Sequence, residues 1–195
     1  MPQASFGDIK IEYQLHGDSQ APVIVLIRGL GTQLIEWSDV LIQGLCSHGF
    51  QVLCFDNRDV GLSTKFDNSP KPNFEAIAKG DWGSLAYTLE DMVADVQGLL
   101  ESLVIEQAHI FGISMGGMIA QLFAYQFPEM TLSLTSVMST SSAEGLPGPS
   151  EEALQAMLSR PATDNAEDVI ALTAANMAVY GSPGYPETEQ HRLAM

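Results

Sequence analysis

The chain has 195 residues, of which 46% are hydrophobic and 16% charged, so it can bury a core of the size expected for one domain. Its 24 acidic residues against 8 Lys and Arg give a net charge of −16, which argues against nucleic acid as a partner. No stretch approaches the roughly 18 consecutive apolar residues of a membrane helix, and the N-terminus lacks the layout of a signal peptide. We therefore expect a cytoplasmic protein that does not bind membranes.

The first part of the chain alternates between strands and helices. Residues 9–15 alternate apolar and polar side chains, which is typical of a half-buried edge strand, whereas 23–27 are apolar throughout, as in a central parallel strand. A glycine-containing loop, a helix over about 37–48 and an apolar strand over 52–55 then complete a βαβ unit. The only two cysteines, Cys46 and Cys54, fall in this helix and this strand and are expected to be buried, reduced thiols.

The alternation continues after a long interruption. Residues 56–87 show no hydrophobic periodicity, which indicates a long loop. Thr88 then caps a helix over 88–103, with Asp91 three positions on, and a strand over 109–113 follows. A helix over 114–127 ends before Pro128, and a strand is predicted over 132–138. Four parallel strands with helices between them indicate a doubly wound α/β domain.

The pattern changes at Ser139, after which no strand is predicted. Helices are expected over 150–160 with Ser150 as the cap, over 164–180 with Asp164 as the cap, and from Glu187 onward. The sequence thus divides into an α/β core over 1–140 and an all-helical segment over 141–195.

The strongest chemical signal is Gly112-Ile113-Ser114-Met115-Gly116, placed between a strand and a helix. In a G-x-S-x-G pattern the serine occupies a strained turn, small glycines let neighbouring backbones approach, and the helix N-terminus favours a developing anion. The pattern predicts a nucleophile elbow with Ser114 as the catalytic nucleophile. The alternative is a tight turn without a chemical role.

Such an elbow needs an oxyanion hole made of two backbone N–H groups. One is predicted at Met115, directly after the nucleophile, and the other at Leu30, in the glycine loop that follows the apolar strand over 23–27. The alternative is that this loop only turns the chain.

Four segments together resemble the α/β-hydrolase superfamily, and within it the esterase branch of aclacinomycin methylesterase and its relatives. They are residues 26–31, the D-x-R-x-x-G-x-S stretch over 55–63, the elbow over 112–117 and the segment over 145–149. The resemblance implies a mostly parallel sheet with helices on both faces, and a helical cap over 141–195. It also implies a supporting role for the loop residues Gly29, Gly112, Gly116, Asp56 and Arg58. Arg28 stands where many relatives have histidine.

The resemblance further implies a carboxylesterase that cleaves a small to medium apolar ester through an acyl-enzyme on Ser114. Apolar residues of the cap are candidates to line the acyl pocket, although the same helical spacing is typical of a core; they are Leu146, Leu154, Met157, Leu158, Met177 and Tyr180. No cofactor and no metal are expected, because the sequence contains no metal-binding motif. Haloperoxidase and iminopeptidase relatives remain open as alternatives.

The catalytic triad is incomplete in this sequence. In this fold the acid and then the histidine follow the serine in chain order. Only His191 follows Ser114, in a polar stretch typical of a solvated cap, and no acid lies on a turn after a strand. The resemblance implies that both partners belong after Met195, so we expect a C-terminally incomplete hydrolase that is inactive alone. A second chain or fragment is a candidate source of the missing acid and histidine.

Two other classes remain open. Gly29-Leu30-Gly31 with Asp56 imitates a dinucleotide-binding unit, but Leu34 stands where the fingerprint requires Gly or Ala, and the elbow would be unexplained. A hydrolase-fold fragment or pseudoenzyme that binds a small apolar ligand or a partner chain is the non-enzymatic alternative.

Overall fold

The computed structural model describes residues 2–163, 165–182 and 184. The chain divides into two compact units, Met1–Ser141 and Ser142–Met195. The first contains all the strands of the described residues, and the described part of the second contains two helices.

The first unit is built on a six-stranded sheet of order β1-β2-β4-β3-β5-β6. The strands are β1 (Gln3–Phe6), β2 (Ile9–His16), β3 (Val23–Ile27), β4 (Gln51–Phe55), β5 (Ala108–Ile113) and β6 (Thr131–Val137). The four strands β3 to β6 run parallel to their neighbours, and β1 and β2 join the sheet in antiparallel fashion. The mostly parallel α/β sheet predicted from the sequence is confirmed.

The prediction that residues 9–15 form an edge strand is wrong. β2 pairs with β4 on one side and with β1 on the other, so that β1 is the edge. The hairpin turns at Gly7, whose φ of 56° is the left-handed conformation that glycine tolerates best. β1 has only four residues, too few to give a readable alternation, and its existence therefore could not be predicted from the pattern.

Helices cover both faces of the sheet. They are α1 (Asp39–Ser47), α3 (Leu89–Ser102) and α4 (Met115–Gln126), whereas α2 (Phe74–Ala78) lies in the long loop after β4; 3₁₀ turns occur at Leu34–Glu36 and Pro128–Met130. Val25 and Ile27 of β3 belong to the core that α3 and α4 bury, whereas Leu26 belongs to the core on the opposite side with Ile42 of α1. This split follows from the alternation of side chains along a strand.

In the first unit, one helix starts later than predicted and one helix was not predicted. α1 begins after Ser38, whose side chain accepts a hydrogen bond from the backbone N–H of Val40, because the preceding residues form the 3₁₀ turn instead. Within the predicted long loop over 56–87, the five-residue helix α2 forms behind its cap Asn73. The predicted cap of α3 is confirmed: the side chains of Thr88 and Asp91 each accept a hydrogen bond from the other's backbone N–H.

The second unit contains α5 (Glu151–Leu158) and α6 (Ala166–Tyr180), which contact each other. Ser150 caps α5 as predicted, whereas the cap of α6 is Asn165, whose side chain accepts a 2.8 Å hydrogen bond from the backbone N–H of Asp168. Asp164, the predicted cap, lies outside the described residues, as do the predicted helix from Glu187 onward and His191. The six apolar residues considered for an acyl pocket are between 38% and 69% exposed. Among the described helices, none has the length and apolarity needed to cross a membrane.

Candidate active site

Ser114 occupies the strained turn between β5 and α4. Its φ of 56° and ψ of −124° are unfavourable for a residue with a side chain. The backbone N–H of Ser114 donates to the carbonyl of Val137 at 3.0 Å, and its carbonyl accepts from the N–H of Gly117 at 2.9 Å. These bonds hold the turn on both sides. The half-buried Ser114 side chain makes no capping hydrogen bond to α4, so its hydroxyl is not used to satisfy the helix.

Glycines make this turn sterically feasible. A β-carbon on Gly112 would overlap the backbone of Gly116, and one on Gly116 would overlap the carbonyl oxygens of Ile27 and Arg28. A β-carbon on Gly117 would lie 2.7 Å from the hydroxyl of Ser139. The first turn of α4 is therefore pressed against the ends of β5 and β3, which accounts for Gly112 and Gly116 in the motif.

The loop after β3 lies beside the serine. β3 and β5 pair in parallel with Ile27 opposite Gly112, so the chain leaves both strands at the same edge of the sheet. A β-carbon on Gly29 would be 3.2 Å from Cβ of Ser114 and 3.6 Å from its Oγ. The structure thus brings Gly29 against the predicted nucleophile.

The two predicted oxyanion donors lie on the two sides of this contact. Leu30 directly follows Gly29, and the residue is 71% exposed. Met115 is the first residue of α4, where the N–H groups have no acceptor within the helix and the helix dipole favours negative charge. Because the predicted donors are backbone N–H groups, the identity of the Leu30 and Met115 side chains does not matter for this role.

Hydrogen bonds between four side chains and the backbone hold the loop around Leu30. Asn57 Nδ2 donates to the carbonyl of Arg28 at 3.1 Å, and Thr32 Oγ1 donates to the carbonyl of Gly29 at 3.0 Å. Further along, the carboxylate of Glu36 accepts from the N–H of Gln33, and that of Asp56 accepts from the N–H of Leu34. Sequence reasoning missed Asn57, Thr32 and Glu36. Only Asn57 carried a signal, because it stands inside the D-x-R stretch.

Arg28 is held on the 3₁₀ turn that follows the loop. Its guanidinium lies 4.8 Å from the ring centre of Trp37, and its Nη2 is 3.3 Å from the carboxylate of Glu36. Burial lowers the pKa of Arg28, and the charge of Glu36 opposes this effect. The side chain that replaces the histidine of many relatives thus packs against Trp37 while the backbone of residue 28 enters the loop.

Asp56 links the loops after β3 and β4. Its two carboxylate oxygens accept the N–H groups of Leu34 at 2.7 Å and Leu62 at 3.0 Å. The side chain of Asp56 is only 3% exposed, and a β-carbon on Gly61 would overlap it. Asp56 suits this position because its short side chain offers two acceptor oxygens. Gly61 leaves the space that this carboxylate occupies.

Arg58 connects the loop after β4 to α3. Its Nε and Nη2 lie 2.6 and 2.7 Å from the two carboxylate oxygens of Asp95, and the rings of Phe66 and Tyr87 lie 5.4 and 5.2 Å from its guanidinium. Burial alone would lower the pKa of Arg58, but hydrogen bonding and the charge of Asp95 raise it above its usual value. Arg58 therefore stays protonated.

The described histidines lie at the other end of the sheet. His109 is the second residue of β5, whereas Ser114 follows the last. His16 pairs with Val52 near the start of β4, and His48 ends α1 just before that strand. Within residues 2–163, 165–182 and 184, no histidine is therefore positioned to act as the base for Ser114.

Comparisons with known proteins find similarity to hydrolases. A family model described as the alpha/beta hydrolase fold matches residues 22–182. The chain is 28% identical over 170 residues to rhodomycin D methylesterase of Streptomyces peucetius, covering 77% of this chain and 52% of that protein. It is 30% identical over 122 residues to 3-oxoadipate enol-lactonase 2 of Acinetobacter baylyi, covering 63% of this chain and 39% of the lactonase.

Solved structures share the fold. The enol-lactonase of Burkholderia xenovorans LB400 superposes with a TM-score of 0.62 at 24% identity, covering 89% of this chain and 58% of that one. An alpha/beta hydrolase from a deep-sea metagenome library gives a TM-score of 0.53 at 29% identity, covering 67% of this chain and 41% of that one. The chain spans about half the length of the methylesterase that it matches, 52% of it.

Proposed function

The chain belongs to the alpha/beta hydrolase family, and we propose that it carries the nucleophile and the oxyanion hole of a carboxylic ester hydrolase. Ser114 is the nucleophile, and the N–H groups of Leu30 and Met115 are the oxyanion donors. Residues Gly29, Gly112, Gly116, Asp56 and Arg58 hold the loops in place.

The reaction follows from this arrangement. Ser114 Oγ attacks the ester carbonyl while a base takes its proton, and the two N–H groups stabilise the negative oxygen of the tetrahedral intermediate. The intermediate collapses when the C–O bond to the alcohol breaks and the alcohol leaves with that proton. Water then attacks the acyl group on Ser114 in the same way, which releases the acid and restores the hydroxyl.

One observation carries the proposal: Ser114 is kept in a strained backbone conformation, with its side chain against Gly29 and without a capping role. Strain of this kind persists only where the surrounding structure enforces it, and it is concentrated at functional sites. A serine that only turned the chain would gain from being glycine, since glycine adopts a positive φ without cost.

The base and the acid of the reaction lie outside the described residues in this proposal. The described histidines are at the other end of the sheet, and His191 is not among the described residues. Loss of the triad partners reduces turnover by about 10⁴ to 10⁶. Without the acid and the base, the described residues would therefore hydrolyse esters very slowly. A fast reaction needs a further polypeptide segment or an added base.

The substrate class that we propose is a small to medium apolar ester. The names of two relatives are methylesterase and enol-lactonase, and both describe cleavage of a carboxylic ester bond. The second unit exposes apolar side chains on α5 and α6, which suit an acyl or aryl group; they include Leu154, Met157, Leu158 and Met177. We propose that residues 141–195 belong to a helical cap.

The second candidate is a hydrolase-fold protein that binds an apolar ester or a partner chain without cleaving it. The position of His16, His48 and His109 away from Ser114 favours it. The two candidates differ in one covalent step, formation of the acyl-enzyme.

Incubation with p-nitrophenyl butyrate, followed by intact mass and peptide mapping, tests the proposal. Free imidazole is added as a substitute base. We expect a butyryl adduct on Ser114 that forms faster with imidazole and is absent from Ser114→Ala. The corresponding amide, p-nitrobutyranilide, is expected to give no adduct. Binding of the ester without any adduct, with imidazole present, would favour the second candidate.

A further inference from the structure

The hydroxyl of Thr32 reaches back to the peptide group that carries the N–H of Leu30. Its Oγ1 donates a 3.0 Å hydrogen bond to the carbonyl oxygen of Gly29. The turn between them includes Gly31, whose φ of 69° lets the chain reverse over this short distance. Thr32 is partly buried, so this hydrogen bond is shielded in part from competing water.

The planarity of the peptide transmits this contact to Leu30. In a trans peptide the C=O and the following N–H lie in one plane and point in opposite directions. Because the carbonyl of Gly29 is held on the Thr32 hydroxyl, the N–H of Leu30 must point to the opposite side. The hydrogen bond from Thr32 therefore acts on the direction of the proposed oxyanion donor.

On the Leu30 side of this peptide, packing contributes little to its direction. The side chain of Leu30 is 71% exposed, and a β-carbon on Gly31 would have no atom within 4 Å. The preceding peptide is held separately, since Asn57 Nδ2 donates to the carbonyl of Arg28 at 3.1 Å. Asp56 accepts the N–H of Leu34 further along the loop. On the Gly29–Leu30 peptide itself, the side-chain hydrogen bond is the one from the Thr32 hydroxyl, and Gly29 also packs against Ser114.

We propose that Thr32 is a positioning residue of the oxyanion hole, holding the Gly29–Leu30 peptide so that the Leu30 N–H faces the carbonyl oxygen of a group bound to Ser114. This inference rests on the proposed function. Thr32 has no direct contact with substrate or Ser114 in the proposed mechanism. Its effect is on the direction of one of the two oxyanion donors, the N–H of Leu30.

The expected effect is on reactivity. Loss of one oxyanion donor costs about 10²- to 10³-fold in rate, which sets the upper limit for a variant whose Leu30 N–H is no longer directed. Thr32→Val keeps the size and branching of the side chain but removes the hydroxyl. Thr32→Ser keeps the hydroxyl and removes the methyl group.

The test measures the rate of Ser114 phosphonylation by a fluorophosphonate probe in the full chain with imidazole present. We expect Thr32→Val to react at least tenfold more slowly than the unmodified chain, at an unchanged urea midpoint, and Thr32→Ser to react at close to the original rate. A Thr32→Val chain that folds and reacts at the original rate would overturn the inference. So would a Thr32→Ser chain as slow as Thr32→Val.

The controls separate this inference from the proposal on which it rests. If the unmodified chain is not phosphonylated on Ser114, the proposed function fails and the role of Thr32 fails with it. If the unmodified chain reacts and Thr32→Val matches it, only the role of Thr32 fails. Should Thr32→Val not fold, Thr32→Ala removes the same hydroxyl without placing a second methyl group in the loop, and its rate decides in the same way.

Discussion

Gly116, in the first turn of α4, lies directly against the carbonyl oxygen of Ile27 at the end of β3. This contact brings the loop that carries Leu30 up to the turn that carries Ser114. The absence of a side chain at residue 116 is thus a condition for the proposed site, because any β-carbon there would separate the two halves of the oxyanion hole.

Gly116→Ala is expected to destabilise the first unit by about 1–3 kcal/mol, the usual cost of overpacking a tight contact. The matched control is Gly44→Ala in α1, where an added β-carbon would meet nothing within 4 Å. That change should stabilise by up to about 1 kcal/mol, since alanine favours a helix more than glycine does. Urea denaturation measures both, and equal effects of the two substitutions would contradict the contact.

Replacement of Ser114 tests the backbone strain separately from the chemistry. Ser114→Gly and Ser114→Ala both remove the hydroxyl, but only glycine adopts the observed φ of 56° without strain. We expect Ser114→Gly to exceed Ser114→Ala in free energy of unfolding by about 1 kcal/mol or more. A more stable alanine variant would show that the turn is not strained. The comparison is made by chemical denaturation and needs no enzymatic activity.

The ion pair of Arg58 and Asp95 is expected to be strongly coupled. Their side chains are 7% and 4% exposed, and removal of one partner leaves the other charge buried. Arg58→Met or Asp95→Leu alone should lower the free energy of unfolding by about 3–5 kcal/mol, and the double variant should lose less than the sum. A double-mutant cycle measures the coupling. Additive losses would mean that the two charges do not depend on each other.

Stability should depend on the Cys54 thiol at alkaline pH. Burial raises the pKa of Cys54 to about 12 from a usual value of 9.0, with the nearby Cys46 adding to the effect and Arg28 opposing it. The folded state therefore keeps the proton that the unfolded chain loses, so this contribution is present below about pH 9 and declines toward pH 12.

A comparison with Cys54→Ala isolates this contribution. Between about pH 8 and about pH 10.5, the unmodified chain should lose more free energy of unfolding than Cys54→Ala does, since alanine has no proton to lose. Urea denaturation at the two pH values gives the difference. If both chains lose the same free energy of unfolding, the pH dependence comes from groups other than Cys54.

The elements that could be predicted are those with a local signal. The apolar runs of β3 and β4, the helical spacing of Val93 and Val96 in α3, and the glycines around Ser114 are all readable over a few residues. The fold prediction and the resemblance to the hydrolase family both rest on these local patterns. β1 was too short to be read, and β2 was read as an edge because its alternation does not reveal whether a strand pairs on one side or two.

The parts of the site that were missed are side chains that bond to backbone groups. Asn57 reaches the carbonyl of Arg28 because β3 and β4 lie side by side, whereas Glu36 and Thr32 bond to the backbone of Gln33 and Gly29, three residues before them. Side chains that bond to backbone groups leave no periodic pattern. The roles of Asp56 and Arg58 were suggested by resemblance, but their partners Leu34 and Asp95 could be identified only from the structure.

Fluorophosphonate labelling of the full chain, with and without free imidazole and mapped by peptide mass, decides whether Ser114 is the nucleophile. We predict one modified residue, Ser114, modified faster when imidazole is present, and no modification in Ser114→Ala. Labelling that persists in Ser114→Ala, or a folded chain whose Ser114 stays unmodified when imidazole is present, would contradict this assignment.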